Sequence, residues 1–533
     1  MTDIPGNFTT SATLEGPLAG GVAGNGTFSD TFETFADQDW IQVYLNKDTA
    51  YSFFGAAGLD SGAEGDSVLR LYTAFGAEVA SADNGGAHVN SALSFTPAAS
   101  GIYYLSVGEA LGRIGGYGVF MSSAARTLEV LTEFADVHVA VAADARVLGG
   151  AGNDDISMGG GNLGRDALGE QGDDTLTGNL NDNLLSGGIG DDTVSGSGGN
   201  DALWGDAGND KLFGGSGLDR LFGSAGNDHL DGGGNADELH GGAGNDALVG
   251  GDGQDSLYGD EGNDALDGNT GDDVMRGGAG NDTYFVNSTG DAVNEVGGEG
   301  TDLVKSAVNF NLATSEVFGA VENLTLIGGA LKGAGNELDN RITGNASQNT
   351  LDGANGNDTL DGGANNDTLN GGTGNDVVVG GAGKDKLIGD IGDDRLIGEA
   401  GNDKLDAGSG KDRLIGGIGA DELRGGGSAD RFVFQSVAES TAAANGRDTI
   451  VDFDHAHGDR IELSLVDANA FKNGNQAFHF IGLTPFTHNQ GELRYTFTNG
   501  DTLIQGDVNG DAKADFAVLL TGLKALVAAD FLL

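Results

Sequence analysis

Through the middle of this chain an aspartate returns every nine residues without a slip, at Asp192, Asp201, Asp210, Asp219, Asp228, Asp237, Asp246, Asp255, Asp264, Asp273 and Asp282. Asp174 lies on the same grid, with Asn183 between. A second run holds register from Asn349 through Asp358, Asp367, Asp376, Asp385, Asp394, Asp403, Asp412, Asp421 and Asp430. Two places after nearly every one stands an apolar residue, as in Val194, Leu203, Leu212, Leu360 and Leu369. A fixed period of this length predicts a solenoid, in which each repeat buries its apolar face against its neighbours.

Each nonapeptide reads Gly-Gly-x-Gly-Asn-Asp-x-Leu-x, a glycine-rich turn followed by a short strand with one inward apolar residue. Two nonapeptides complete one coil. Stacked coils lie about 4.8 Å apart, so aspartates eighteen residues apart, such as Asp210 and Asp228, line up on one edge. At an effective dielectric of about 20, carboxylates at that distance repel by roughly 3.5 kcal/mol per pair. The motif carries no lysine to offset this, so a cation is expected between the turns. Carboxylates and turn carbonyls suit Ca²⁺, which accepts six to eight oxygens at variable angles, better than octahedral Mg²⁺. Zinc is disfavoured, because the chain has no cysteine and the repeats offer almost no histidine. A solvated Gly/Asp linker would share the composition but not the unbroken register.

The net charge of −55, from 81 acidic against 26 basic residues, excludes nucleic acid as a partner and argues against anionic lipid surfaces. With no cysteine there is no disulfide staple, so stability outside a cell has to come from metal or packing. No apolar run approaches the roughly 18 residues of a membrane span. Met1 to Thr10 shows neither a charged n-region nor an apolar h-region, so no Sec-type signal peptide is legible there.

The two runs resemble the RTX, or haemolysin-type calcium-binding, repeats of bacterial exoproteins. The resemblance implies a parallel β-roll in which sixth-position aspartates and turn carbonyls bind multiple Ca²⁺ ions. The matching side chains here are the aspartates of both runs together with Asp174 and Asp154. Asn183 and Asn349 depart from the motif and mark weakened or absent sites. The first repeats are irregular, with Asp154 and Asp166 twelve residues apart and Asp166 and Asp174 only eight.

From about Arg431 glycine thins and aromatics return in alternating stretches, which predicts a β-rich domain. Asp448-Thr449-Ile450-Val451-Asp452-Phe453, Gly458-Asp459-Arg460-Ile461-Glu462-Leu463-Ser464 and Gly491-Glu492-Leu493-Arg494-Tyr495 are similar to the C-terminal domain of serralysin-type metalloproteases. Asp530-Phe531-Leu532-Leu533 matches the tail that family uses as an uncleaved type I secretion signal, which makes the type I machinery an implied partner. The segment Asp507-Val508-Asn509-Gly510-Asp511-Ala512-Lys513-Ala514-Asp515 reads as a hairpin turn ahead of a calcium loop, since Val518 stands where a bidentate Glu is needed. His455 and His457, beside Asp452 and Asp454, read as surface polar groups.

Residues 1–126 carry strand signals separated by Gly/Asp/Asn turns, and predict a β-sandwich or jelly roll. Asp39-Trp40, Leu69-Arg70-Leu71-Tyr72 and Ser100-Gly101-Ile102-Tyr103-Tyr104-Leu105 resemble the bacterial pre-peptidase C-terminal domain. That resemblance implies secretion, with calcium, protein or polysaccharide as ligand. Trp40, Tyr103 and Tyr104 are expected in the core ahead of a ligand face, and Asp37, Asp39 and Asp83 are weak calcium candidates.

The expected organisation is all-β: the sandwich (1–126), capping strands (127–148), a first β-roll (149–285), a β-solenoid spacer of wider coils (286–343), a second β-roll (344–430) and a C-terminal cap bearing the secretion signal (431–533). His-Glu-x-x-His and Gly-x-Ser-x-Gly are absent from the 533 residues. The chain is therefore expected to be a secreted, non-enzymatic structural, matrix or adhesion component that folds on Ca²⁺ after export. A carbohydrate- or protein-binding accessory factor using the sandwich is the first alternative, and a serralysin-related exoenzyme with an unrecognised site is the second.

Overall fold

A computed structural model describes residues 147–159, 166–314 and 316–533 with Asp136, and as backbone alone Arg146 and the strands from Thr27–Thr31 to Val137–Ala140. Two compact units divide the chain, residues 1–232 and 233–533.

In the first unit, the strands up to Ser123 form two four-stranded antiparallel sheets. One runs in the order Thr27–Thr31, Gly116–Ser123, Tyr51–Ala57, Ser91–Phe95, and the other Asp39–Leu45, Gly101–Glu109, Ser67–Thr73, Glu78–Asp83. The side chains a sandwich core would bury lie outside the described residues, as do those of Trp40, Tyr103, Tyr104, Asp37, Asp39 and Asp83.

After Leu128 every pairing in this unit is parallel, and the strands alternate between two sheets. Asp166–Gln171 pairs with Leu184–Ile189, which pairs with Ala202–Ala207 and then Arg220–Ala225. Thr175–Thr177, Thr193–Gly198 and Lys211–Ser216 stack in the same way opposite. Partners are eighteen residues apart (Ala202 with Arg220), so two nonapeptides make one coil. The strand period of two turns Leu203 inward and its neighbours outward. Leu185, Leu203 and Leu221 form one fully buried column, while Trp204 stacks outside on Phe222 at 5.4 Å.

The second unit continues this logic from Glu238–Ala243, Ser256–Glu261 and Val274–Ala279 on one side and Ala247–Asp252 and Ala265–Thr270 on the other. The coil then lengthens. Thr283 pairs with Leu303 and Leu303 with Asn323, steps of twenty residues, before Asn323 with Arg341 restores eighteen. On the facing side one sheet ends at Val317–Gly319 and another starts at Phe310–Asn311. Regular stacking resumes through Glu422–Arg424, which pairs with Asp448–Ile450.

Beyond that strand, Phe516–Leu520 adds in parallel, then Asp501–Asp507 and Glu492–Thr498 add antiparallel. Phe432, Phe434, Phe453 and Phe516 fill the interior here, and Phe434 meets Phe516 edge-on at 5.3 Å. Residues 507–515 join two antiparallel strands. Asp507 accepts the N–H groups of Gly510 and Ala512, and Asp515 accepts that of Val508, so both carboxylates hold the loop's own backbone. Phe531–Leu532 pairs in parallel with Arg460–Glu462.

Leu360 belongs to the buried column of the second unit and is fully enclosed. Leu360→Ala leaves a cavity between two coils that cannot close, and should cost about 2–5 kcal/mol in a calcium-saturated melt. A loss below roughly 0.5 kcal/mol would show that the column is not packed as described.

Candidate metal centre

The aspartates of the nonapeptides stand at the end of each turn, one place before the strand that carries the inward leucine. All of those named from the sequence are buried, from Asp154 to Asp282 and from Asp358 to Asp430. They stack in columns. In the first unit the N–H of Asp192 donates to Oδ1 of Asp210 at 2.8 Å, and that of Asp210 to Asp228 at 2.8 Å. The alternate column passes from Asn183 through Asp201 to Asp219. Asp154 joins through its N–H to Asp174, at 2.7 Å, despite the irregular spacing of the first repeats. In the second unit Asp246, Asp264 and Asp282 form one column and Asp237, Asp255 and Asp273 another. From 358 to 430 the same bond links each aspartate to the one eighteen residues on, at 2.8–3.0 Å.

One oxygen of each carboxylate is thereby held, and the other is not. Oδ2 of Asp192, Asp201, Asp264, Asp358, Asp385 and Asp403, among others, is buried without a hydrogen-bond partner. Such an atom costs about 1–3 kcal/mol, and more when charged. In nearly every coil Oδ2 faces a turn glycine five places before it, with Ala407 standing there before Asp412. A Cβ on Gly259 would lie 2.3 Å from Oδ2 of Asp264 and 2.6 Å from the carbonyl oxygen of Gly277, one coil on. Carboxylate and turn carbonyl thus converge on one point.

Burial is the largest cause pushing Asp192, Asp264, Asp358, Asp403 and Asp412 up to about 7, and neighbouring carboxylates push the same way against the backbone N–H bonds. This corrects the sequence argument, which attributed the need for a cation to repulsion along the column. Desolvation comes first and repulsion adds to it.

Asparagine at the same position behaves differently. Asn340 and Asn349, at the start of the second run, pass their N–H to Asp358 and Asp367 as an aspartate would. Their amide nitrogens donate to the carbonyls of Glu322 (3.1 Å) and Ala330 (3.2 Å). An asparagine therefore carries no charge and satisfies itself, whereas the aspartates keep a buried anionic oxygen. The donor set fits a hard, oxygen-seeking divalent cation such as Ca²⁺.

The columns reach further than the nonapeptide register indicates. Asp302 accepts the N–H of Asp282 and donates to Glu322, Asp448 accepts that of Asp421, and Asp459 accepts that of Asp430. Burial pushes Asp448 up to about 9. Each is followed two places later by an apolar residue, Val304, Leu324, Ile450 and Ile461, which is the signal that would have found them. A second, outer ladder also escaped the sequence reading. The residue before the buried aspartate lends its side-chain oxygen to the N–H eighteen residues on, as Asp191 to Asn209 (2.8 Å) and Asn245 to Asn263 (2.8 Å). His455 bonds the buried carboxylate of Asp530 through Nδ1, so it is more than a surface polar group.

The family model for the RTX calcium-binding nonapeptide repeat (4 copies) matches residues 168–203, 186–221, 213–248, 249–284, 334–369, 370–405 and 406–434. These stretches are RTX calcium-binding nonapeptide repeats. No curated protein matches the chain in sequence. Among solved structures, a subunit of the mannuronan C5-epimerase of Azotobacter vinelandii is 26% identical, over 31% of this chain and 77% of that one, with a TM-score of 0.19. The extracellular lipase of Serratia marcescens is 14% identical, over 44% and 45%, with a TM-score of 0.13. At those scores neither likeness carries an argument about this chain. Among the described residues no helix is long and apolar enough to cross a membrane.

Proposed function

We propose that this chain is an exported, non-catalytic structural or adhesion component whose RTX repeats fold on binding Ca²⁺. The observation that carries the proposal is the unpartnered, buried Oδ2 repeated along both columns, at turns such as Gly259 and Gly398 beside a turn carbonyl. Asp192, Asp201 and Asp210 in the first unit, and the aspartates from Asp358 to Asp430 in the second, would hold the ions with the turn carbonyls. The bound ion supplies the positive charge that makes burial of these carboxylates favourable, and its binding free energy becomes folding free energy.

Export supports the same reading. Where free Ca²⁺ is scarce the buried carboxylates disfavour folding, and the chain stays open for passage. The tail matched to a type I signal bears on this order of events: Asp530 and Phe531 are buried in the folded unit, so a receptor would read them only before folding. RTX-repeat proteins are typically secreted, and repeats make up much of the chain.

Far-UV circular dichroism of the purified chain, titrated with Ca²⁺ from a chelator-treated start and compared with Mg²⁺, tests the proposal. A cooperative gain of β signal with Ca²⁺ alone is expected. A spectrum already folded at pH 8 and indifferent to Ca²⁺ would overturn it.

A further inference from the structure

Where the coil lengthens, the turn departs from its own pattern. Glycine fills the first turn position in the two preceding coils, at Gly259 and Gly277, and eighteen residues on stands Glu295. Its side chain enters the turn. Glu295 is only 4% exposed, and neither of its carboxylate oxygens has a hydrogen-bond partner. Ligand oxygens of Asp282, Glu295 and Asp302 lie within 4.8 Å of one another, and all three residues are buried. Oδ2 of Asp282 is also unpartnered. A Cβ on Gly298 would meet Oε2 of Glu295 at 2.1 Å and the carbonyl oxygen of Gly278 at 2.6 Å, so a backbone oxygen faces the same space.

We infer that Glu295, Asp282 and Asp302 form a three-carboxylate site for one hard divalent cation of the Ca²⁺ class, distinct in its ligands from the nonapeptide sites. Its third carboxylate comes from a position that is glycine in the repeats, in a segment outside the stretches matched by the repeat model. Three buried carboxylates this close need a positive partner; the Arg276 guanidinium acts on Glu295 from a distance, but its hydrogen bond goes to the carbonyl of Val296. Affinity in oxygen sites rises with carboxylate count, so this site fills before the columns. It ties Asp282, in the last regular coil, to Asp302, at the first twenty-residue step, where the facing sheet is about to end.

Tyr284 supplies a local reporter. Its side chain is fully buried, and its hydroxyl accepts the N–H of Gly277 at 2.7 Å. A Cβ on Gly277 would lie 2.3 Å from that hydroxyl and 2.1 Å from Oδ2 of Asp282, which places the phenol beside the site. Tyrosine-sensitised luminescence of Tb³⁺, added to the full chain and competed with Ca²⁺, therefore reads this position. The native chain should show a tightest class of one ion per chain, with emission lost in Tyr284→Phe. Glu295→Gln should weaken that class at least tenfold, while Glu299→Gln, at an exposed neighbour, leaves it unchanged.

If Glu295→Gln fails to fold, Glu295→Gly restores the residue type of the preceding coils and keeps the question answerable. Either variant, folded and retaining the sensitised tight class, overturns the site. The inference does not rest on the columns filling. Columns that ignore Ca²⁺ while the Tyr284 signal persists would defeat the proposed function and leave this site standing.

Discussion

Acidification should fold the metal-free chain and at the same time loosen its hold on calcium. The carboxyls of Asp192, Asp264, Asp358 and Asp403 titrate near 7 in the folded chain, raised chiefly by burial. In the unfolded chain they return to about 4. Between those values the folded chain binds more protons than the unfolded one, so metal-free stability falls as pH rises through this window. The penalty is absent below about 4 and complete above about 7, on the order of 4 kcal/mol for a carboxyl raised to 7. Such groups recur along both columns, while domains are stable by only roughly 5–15 kcal/mol, so the metal-free fold is opposed above this window.

In chelator, the β signal should be weak at pH 8 and grow as the pH falls through 7 towards 4. The rise in melting temperature on adding Ca²⁺ should be largest at pH 8 and shrink at pH 5, because protons and the ion compete for the same oxygens. The surface charge of a chain at −55 also relaxes in acid, but added salt separates the two causes. Salt screens exposed charges and leaves buried ones nearly untouched, so it should not replace acid at pH 8. A metal-free chain more ordered at pH 8 than at pH 5 would sink the account.

What was legible in the sequence is what the nine-residue period enforces. The alignment of Asp210 over Asp228 follows from two repeats per coil, and the inward Leu203 from strand alternation. Both are consequences of periodicity, and periodicity survives any change of surface residue. Features set by packing across coils were not legible. Asn245 and Asn263 stand in the motif with no role legible from spacing, yet each side chain holds the backbone of the next coil. Glu295 keeps the eighteen-residue step from Gly277, but it lies in the spacer where the aspartate period breaks, and the pairing of Met275 with Val293 is what shows the register to persist there. Asp448 and Asp459 were read as parts of a C-terminal domain, since the coils that bring them under Asp421 and Asp430 are 27 and 29 residues long. Asp260 and Glu399 take positive φ, 76° and 72°, where the motif calls for glycine, a strain the rest of the coil sustains.

One methyl group at the right turn should remove one ion. Gly259→Ala places its Cβ 2.3 Å from Oδ2 of Asp264 and 2.6 Å from the Gly277 carbonyl, inside the space where both oxygens converge. Neither is the end of a long side chain. The carbonyl belongs to a backbone paired on both sides, and Asp264 is fixed by its place in the column. Overpacking costs about 1–3 kcal/mol, and a lost ion removes about 2.7 kcal/mol at a hundredfold excess over its dissociation constant. Together these predict a loss of roughly 4–6 kcal/mol in saturating Ca²⁺ and a calcium count lower by one in equilibrium dialysis. Gly329→Ala is the matched control, since nothing lies within 4 Å of its added Cβ, and it should move stability by no more than about 0.5 kcal/mol. If Gly259→Ala melts with the native chain and binds as many ions, the turn beside Asp264 does not hold one. If it melts early with an unchanged count, the glycine is there for the backbone's close approach alone, and the ions of the column must sit elsewhere on the carboxylates.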